Sequence, residues 1–331
     1  PSSGGIDVRA GIASLQCPTL GSGRGIAAEF IESRSSGGVL QLAEDEVHAP
    51  KVKFANYLEQ PAPVILSVTA DTDRVTGLDD LQTYEQTIPI EAAEYTESEG
   101  GQKYFEIGCR LGTGESSATQ SRELELGTYR YRLQRASDGT LSSPQGERFS
   151  LTGTLKYTVD QTVAIPWCLF NPSVQAADSR CPTTLALSGS QLGRINGHLP
   201  VYIDIFQRDI ETQGNEVKLT LLFTLRNGGL GTGASRGYVD DQGLVSFSVE
   251  PGFECVSSAG QSMKGSSVQV LLVQGVGSVR CTGLWGGTQW EEGFLNVALS
   301  YPYVYEFRSL PIQLLPPGKN TFASSSPFLA R

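Results

Sequence analysis

The sequence predicts an all-β protein: two immunoglobulin-like β-sandwich domains with a disulfide-stapled junction and flexible terminal arms. Three observations carry this expectation. Glycine (38) and proline (17) are plentiful while Met occurs once, a usage suited to many tight connections with special backbone angles. Apolar and polar residues alternate at period two in short runs, and no 3.6-residue helical periodicity stands out. Six cysteines, an even number with one separable pair per region, read as three bridges. At 331 residues the chain is roughly twice the usual domain length, hence two domains.

Residues 1–24 are rich in Gly and Ser with sparse apolar alternation, and read as an arm carrying Ile6, Val8, Ile12 and Leu15. The first sandwich is expected over 25–165. Strands are expected at Ile26–Ile31 and Pro50–Tyr57, and at Val64, Leu66 and Val68 alternating with Ile65, Ser67 and Thr69. In Tyr104–Leu111 the inward set is Phe105, Ile107, Cys109 and Leu111, which puts Cys109 on a buried face. From Phe149 to Val159, the residues Phe149, Leu151, Leu155, Tyr157 and Val159 share a face with Gly153, where glycine marks a bulge or a close neighbour.

Residues 166–197 form the junction, bracketed by Cys168 and Cys181. The second sandwich spans 198–317. Val201, Ile203 and Ile205 are expected on one face, opposite Tyr202, Asp204 and Phe206. The cleanest strand sets Val217, Leu219, Leu221, Phe223 and Leu225 against Lys218, Thr220, Leu222, Thr224 and Arg226, and Asn227-Gly228-Gly229 stops it. Further strands are expected at Leu244–Val249, Val268–Val273 and Phe294–Tyr301, with a last run from Tyr303 to Leu314. Roughly six or seven strands in about 120 residues suit a sandwich. Residues 318–331 are a Ser-rich tail.

The local pairings Cys17–Cys109, Cys168–Cys181 and Cys255–Cys281 are expected, because each closes a loop within one unit. A metal site fits poorly, since there is no Cys-x-x-Cys and His48 and His198 have no His-x₃₋₅-His partner. The formal net charge of −10 offers no basic face for phosphates or anionic lipid, which argues against nucleic acid and membrane surfaces as partners. No apolar stretch is long enough for a transmembrane helix. The opening Pro1-Ser2-Ser3-Gly4-Gly5, without Met, suits a mature chain from which a signal or anchor has been removed, or a trimmed one.

One stretch carries a family resemblance. Leu151-Thr152-Gly153-Thr154-Leu155-Lys156-Tyr157 is followed by Ile165-Pro166-Trp167-Cys168-Leu169 and Cys181-Pro182. Then come Pro200-Val201-Tyr202-Ile203, Val217-Lys218-Leu219-Thr220-Leu221 and Arg226-Asn227-Gly228-Gly229. A strand, a cysteine-bracketed loop and a long strand ended by Asn-Gly resemble, over about residues 150–230, uncharacterised secreted or surface proteins of small-genome archaea (woesearchaeal and nanoarchaeal types). The resemblance implies a cell-surface location and no particular chemistry.

Catalytic constellations are thin. A Ser-His-Asp site would need His48, which ends the acidic run Glu44-Asp45-Glu46-Val47-His48 and reads as a solvated edge, or His198, in the turn Asn196-Gly197-His198-Leu199. Asp79-Asp80 and Glu291-Glu292 are adjacent pairs whose members point to opposite faces of a strand. Asp71-Thr72-Asp73 with Thr76, Asp79 and Asp80 lacks EF-hand spacing and reads as an acidic loop. No enzyme activity and no cofactor are therefore expected. Trp285 and Trp290, flanking Gly286-Gly287, are candidate binding residues for sugars or a protein partner, against the alternative that they cover the core beside Cys281. The expected function is an extracellular structural subunit of a cell-surface filament or surface layer. It would bind copies of itself by strand or arm exchange. The alternative is a monomeric adhesin that binds surface glycans.

Overall fold

The computed structural model describes residues 25–31, 38–58, 61–78, 85–90, 95–97, 103–105, 121–173, 181–188, 191–192, 196, 199–213, 216–229, 235–258, 265–286 and 291–317. Among them strand predominates, joined by turns and bends, with a 3-10 turn at Asp241–Gly243 and helical residues at 191, 192 and 196. The all-β expectation holds.

The chain opens with β1 (Ile26–Ile31), β2 (Leu40–Ala43), β3 (Val47–His48), β4 (Lys51–Asn56), β5 (Ala62–Ala70) and β6 (Val75–Thr76). Next come β7 (Glu85–Ile90), β8 (Tyr95–Glu97), β9 (Lys103–Phe105), β10 (Ser121–Glu125), β11 (Tyr129–Arg130) and β12 (Arg132–Leu133). The middle of the chain supplies β13 (Glu147–Phe149), β14 (Leu151–Leu169), β15 (Thr184–Ser188), β16 (Val201–Gln213), β17 (Glu216–Asn227) and β18 (Ser235–Val239). The last are β19 (Leu244–Val249), β20 (Phe253–Ser257), β21 (Ser267–Leu271), β22 (Val276–Trp285), β23 (Glu291–Arg308) and β24 (Ile312–Leu315).

Two sheets dominate. The larger runs β21-β19-β23-β14-β5-β7, with β18 also on β23; the other runs β15-β16-β17-β22-β20. Their inward faces carry the apolar sets that period-two reading assigns. Val217, Leu219, Leu221, Phe223 and Leu225 are buried on β17, as are Leu151, Leu155, Tyr157 and Val159 on β14. Phe223 meets Phe206 in its own sheet and Phe247 across the layer, at centroid distances of 5.2 and 4.9 Å. Two smaller sheets are β1-β4-β10, all from the first half, and β13-β24-β2, whose central strand comes from the end of the described chain.

Buried tyrosines tie the layers by hydrogen bonds as well as by area. The Ile26 amide donates to Tyr157 Oη at 2.9 Å, and the Val201 amide to Tyr301 Oη at 3.0 Å. Tyr303 Oη donates to Asn227 Oδ1 at 3.1 Å. A buried hydroxyl so partnered avoids the desolvation penalty of an orphaned polar group.

Two features depart from the strand expectations. The expected run Phe149–Val159 divides, Phe149 ending β13, while β14 passes Val159 to Leu169 and pairs with β23 from Thr152↔Arg308 to Leu169↔Glu291. The expected limit of the first domain therefore falls inside a strand. On β16 the register shifts between Ile203 and Ile205, so Ile205 faces out while Phe206, Arg208 and Ile210 face in. One extra residue inverts every side chain that follows it. Ile205 was expected inside, and the bulge moves it out.

Candidate functional site

Backbone polarity along β14 defines which side each residue's main-chain groups face. The Ser309 amide donates to Leu151 C=O and the Leu151 amide to Ser309 Oγ, so odd residues of β14 turn their main-chain groups toward the β23 side. The Asp71 amide donates to Ser150 C=O, so even positions turn theirs toward β5. The β23 register carries no shift, and the alternation persists along the strand.

β5 pairs with β14 only over Leu151–Lys156. Beyond that point the main-chain groups of Thr158, Asp160, Thr162 and Ala164 face a side where no described strand pairs with them. Pro166 falls on the same parity, so the N–H it lacks is missing from this side and not from the β23 ladder. A cleft of about 590 Å³ opens where β5 and β14 diverge, lined among others by Pro61, Pro63, Ile65, Lys156, Asp160 and Gln161. Phe294, 64% exposed, lies opposite Pro166 at the far end.

The other sheet's terminal strand, β15, belongs to the same flank. The Cys168–Cys181 disulfide joins the end of β14 to the residues just before β15, as expected. Arg208 of β16 reaches the same point: its Nη1 donates to Cys168 C=O and its Nη2 to Pro182 C=O. Nothing in the alternation of β16 marks Arg208 as buried. Only the bulge puts it inside, and Asn196 holds that bulge by donating Nδ2 to Ile203 C=O (2.7 Å) and accepting the Ile203 amide on Oδ1 (2.9 Å).

The second expected disulfide, Cys255–Cys281, joins directly paired positions of β20 and β22. Cys17 and Cys109 lie outside the described residues, and so do the arm residues Ile6, Val8, Ile12 and Leu15. Trp285 is half-buried and packs against the core, while Trp290 falls outside the described residues. At the same end of the sheets, Trp167 meets Phe253 at 6.3 Å between centroids.

His48 is half-buried and not on a solvated edge. Its Nδ1 lies 3.0 Å from Tyr131 Oη, and burial pushes its pKa down to about 4, partly opposed by the Glu46 carboxylate. His198, Asp79 and Asp80 lie outside the described residues. Asp71 Oδ1 accepts the Ser150 amide, and Thr72 Oγ1 accepts the Arg74 amide, so this loop is tied to its own surroundings. Glu291 and Glu292 are exposed at the start of β23. Among the described residues no three His, Cys, Asp or Glu side chains gather as a metal site would require, and no helix is long and apolar enough to cross a membrane.

No protein-family model and no curated protein matches the chain. Distantly similar solved structures include the following two. The C-terminal globular domain of an oligosaccharyltransferase from Pyrococcus abyssi is 11% identical with a TM-score of 0.21; the match covers 95% of this chain and 56% of that one. A DUF4466 family protein from Parabacteroides merdae is 8% identical with a TM-score of 0.13, covering 83% of this chain and 98% of that one. Likeness at this level says nothing about what the chain does.

Proposed function

We propose that this protein is an extracellular structural subunit of a cell-surface filament or surface layer, whose copies join by strand addition. The acceptor is the β14 edge at Thr158–Ala164, and the donor is the N-terminal arm of another copy. In this reading the two large sheets form the immunoglobulin-like sandwich, and β14 and β15 are its open flank. The observation that carries it is the row of main-chain donors and acceptors on β14 that faces no described strand, beside a cleft. Such an edge takes an added strand through main-chain hydrogen bonds, with alternate side chains setting register.

Three further facts support the reading. Ile6, Val8, Ala10 and Ile12 repeat at the period an added strand needs, although Leu15 falls out of it. Gly25, where the arm joins the described chain, packs against Tyr157 and Pro200, beside the residue at which β14 loses its β5 partner. Two disulfides fit an oxidising compartment. With a net charge of −10, copies repel at long range, so association needs a specific short-range contact.

Electron microscopy and light scattering of the full chain, of a chain lacking residues 1–16, and of Ala164→Pro provide the test. The substitution removes an outward N–H and leaves the β23 ladder bonds in place. The full chain is expected to assemble, and both variants to stay monomeric with an unchanged circular dichroism spectrum. Normal assembly of both variants, or a monomeric full chain, would sink the proposal.

A further inference from the structure

The Cys168–Cys181 bridge lies against a buried cation that forms no ion pair among the described residues. Arg208 is 0% exposed. Its Nη1 is 3.5 Å from Cys168 Sγ and 3.7 Å from Cys181 Sγ, and its Nε has no hydrogen-bond partner. Carbonyls of Cys168 and Pro182 accept from the guanidinium, yet among the described residues no carboxylate forms an ion pair with it. Asp209, next along β16, projects from the opposite face of the strand. Burial, partly opposed at longer range by the Asp209 carboxylate, lowers the pKa of Arg208 only to about 10, so the group stays charged at neutral pH.

A buried cation with neutral acceptors alone is incompletely compensated, and an anion formed beside it is stabilised by both charge and hydrogen bond. Reduction of the bridge forms such an anion. We propose that Cys168–Cys181 is a thiol–disulfide exchange site for a small dithiol reductant, with Arg208 as the positioning residue that favours the reduced pair by holding one sulfur as thiolate.

In the exchange a reductant thiolate attacks one bridge sulfur, and the other leaves as a thiolate beside Arg208. The second reductant thiol then closes its own disulfide and releases the first cysteine. Two electrons pass to the pair, one sulfur takes a proton, and the other remains ionised against the guanidinium. Both cysteines are buried, so exchange requires Cys181 and Pro182 to move away from the end of β14. The exposed consequence is a flank no longer stapled at that end. This inference stands whether or not copies assemble there.

The test equilibrates the full chain with reduced and oxidised dithiothreitol, quenches with acid, alkylates, and counts each cysteine pair by mass spectrometry. Cys255–Cys281 in the same molecule is the reference. Arg208→Met is expected to shift the Cys168–Cys181 equilibrium at least tenfold toward the disulfide, about 30 mV for two electrons. Arg208→Lys is expected to retain most of the wild-type value, and the reference pair to stay unmoved.

A second measurement needs only the wild type. After allowance for the reductant's own titration, the equilibrium should change about tenfold per pH unit between pH 7 and 8, because one thiol stays ionised. An unperturbed pair of thiols, each with pKa near 8.5, changes about a hundredfold. An unshifted equilibrium in Arg208→Met, or in its place a hundredfold slope in the wild type, overturns the proposal.

Discussion

Gly153 lies on the inward face of β14, where a built Cβ would sit 2.2 Å from Phe307 Cζ and within 2.7 Å of two further ring atoms. Gly153→Ala therefore forces the Phe307 ring or the β14–β23 pair to move, and denaturant melts should report a loss of about 1–3 kcal/mol. The alternation around Gly153 left a bulge and a close neighbour open, and the unshifted pairing with Phe307 decides for the neighbour, which lies far away along the chain. His48 makes a second point about single side chains. Its folded pKa of about 4 lies below the ordinary value of 6.5, so the folded state binds fewer protons than the unfolded state. The stabilisation is fully present above pH 6.5 and is lost as pH falls toward 4. The amount is about 3 kcal/mol by linkage. Denaturation measured from pH 7 to 4 should show this decline, and His48→Gln should flatten it. An acidic run before a histidine suggested exposure. Contact with Tyr131, far along the chain, decides otherwise.

Strand interiors followed the period-two pattern closely, as the buried sets on β5, β14 and β17 attest. The bulge in β16 did not, because a register shift leaves no mark in the alternation of hydrophobic residues: Ile205 and Phe206 are both apolar, and either could face the core. Asn196 resolves the choice by exchanging two hydrogen bonds with Ile203, acting where a neighbouring strand would pair. Asn196→Ala removes both partners from buried main-chain groups and should cost about 1–3 kcal/mol for each group left unsatisfied. The β14 edge was equally illegible. That a strand exists there follows from its residues; that β5 leaves it after Lys156 depends on where a distant strand diverges. The disulfide pairs Cys168–Cys181 and Cys255–Cys281 were readable because each joins neighbours in sequence.

Topology links the two expected halves more tightly than their separate strand patterns suggest. β14 belongs to the first stretch and β23 to the last, and their ladder is the longest among the described strands. β24, near the end of the described chain, inserts between β13 and β2, antiparallel to the former and parallel to the latter. One continuous apolar cluster runs from Ile26 to Leu314. Scanning calorimetry is therefore expected to give a single transition, with calorimetric and van't Hoff enthalpies that agree. A fragment of residues 25–165 should stay unfolded by near-ultraviolet circular dichroism, since it lacks both β23 and β24. Two resolved transitions would show that the halves are independent.

Local chemistry determined the strand class, the paired faces of the longest strands and the near-neighbour disulfides, because backbone pleat and short loop closure are written into adjacent residues. Tertiary contact decided the inversion in β16, the burial of Arg208 and the point where β5 leaves β14. Those depend on which distant strand arrives, in which register and for how many residues, and no window of sequence contains that information.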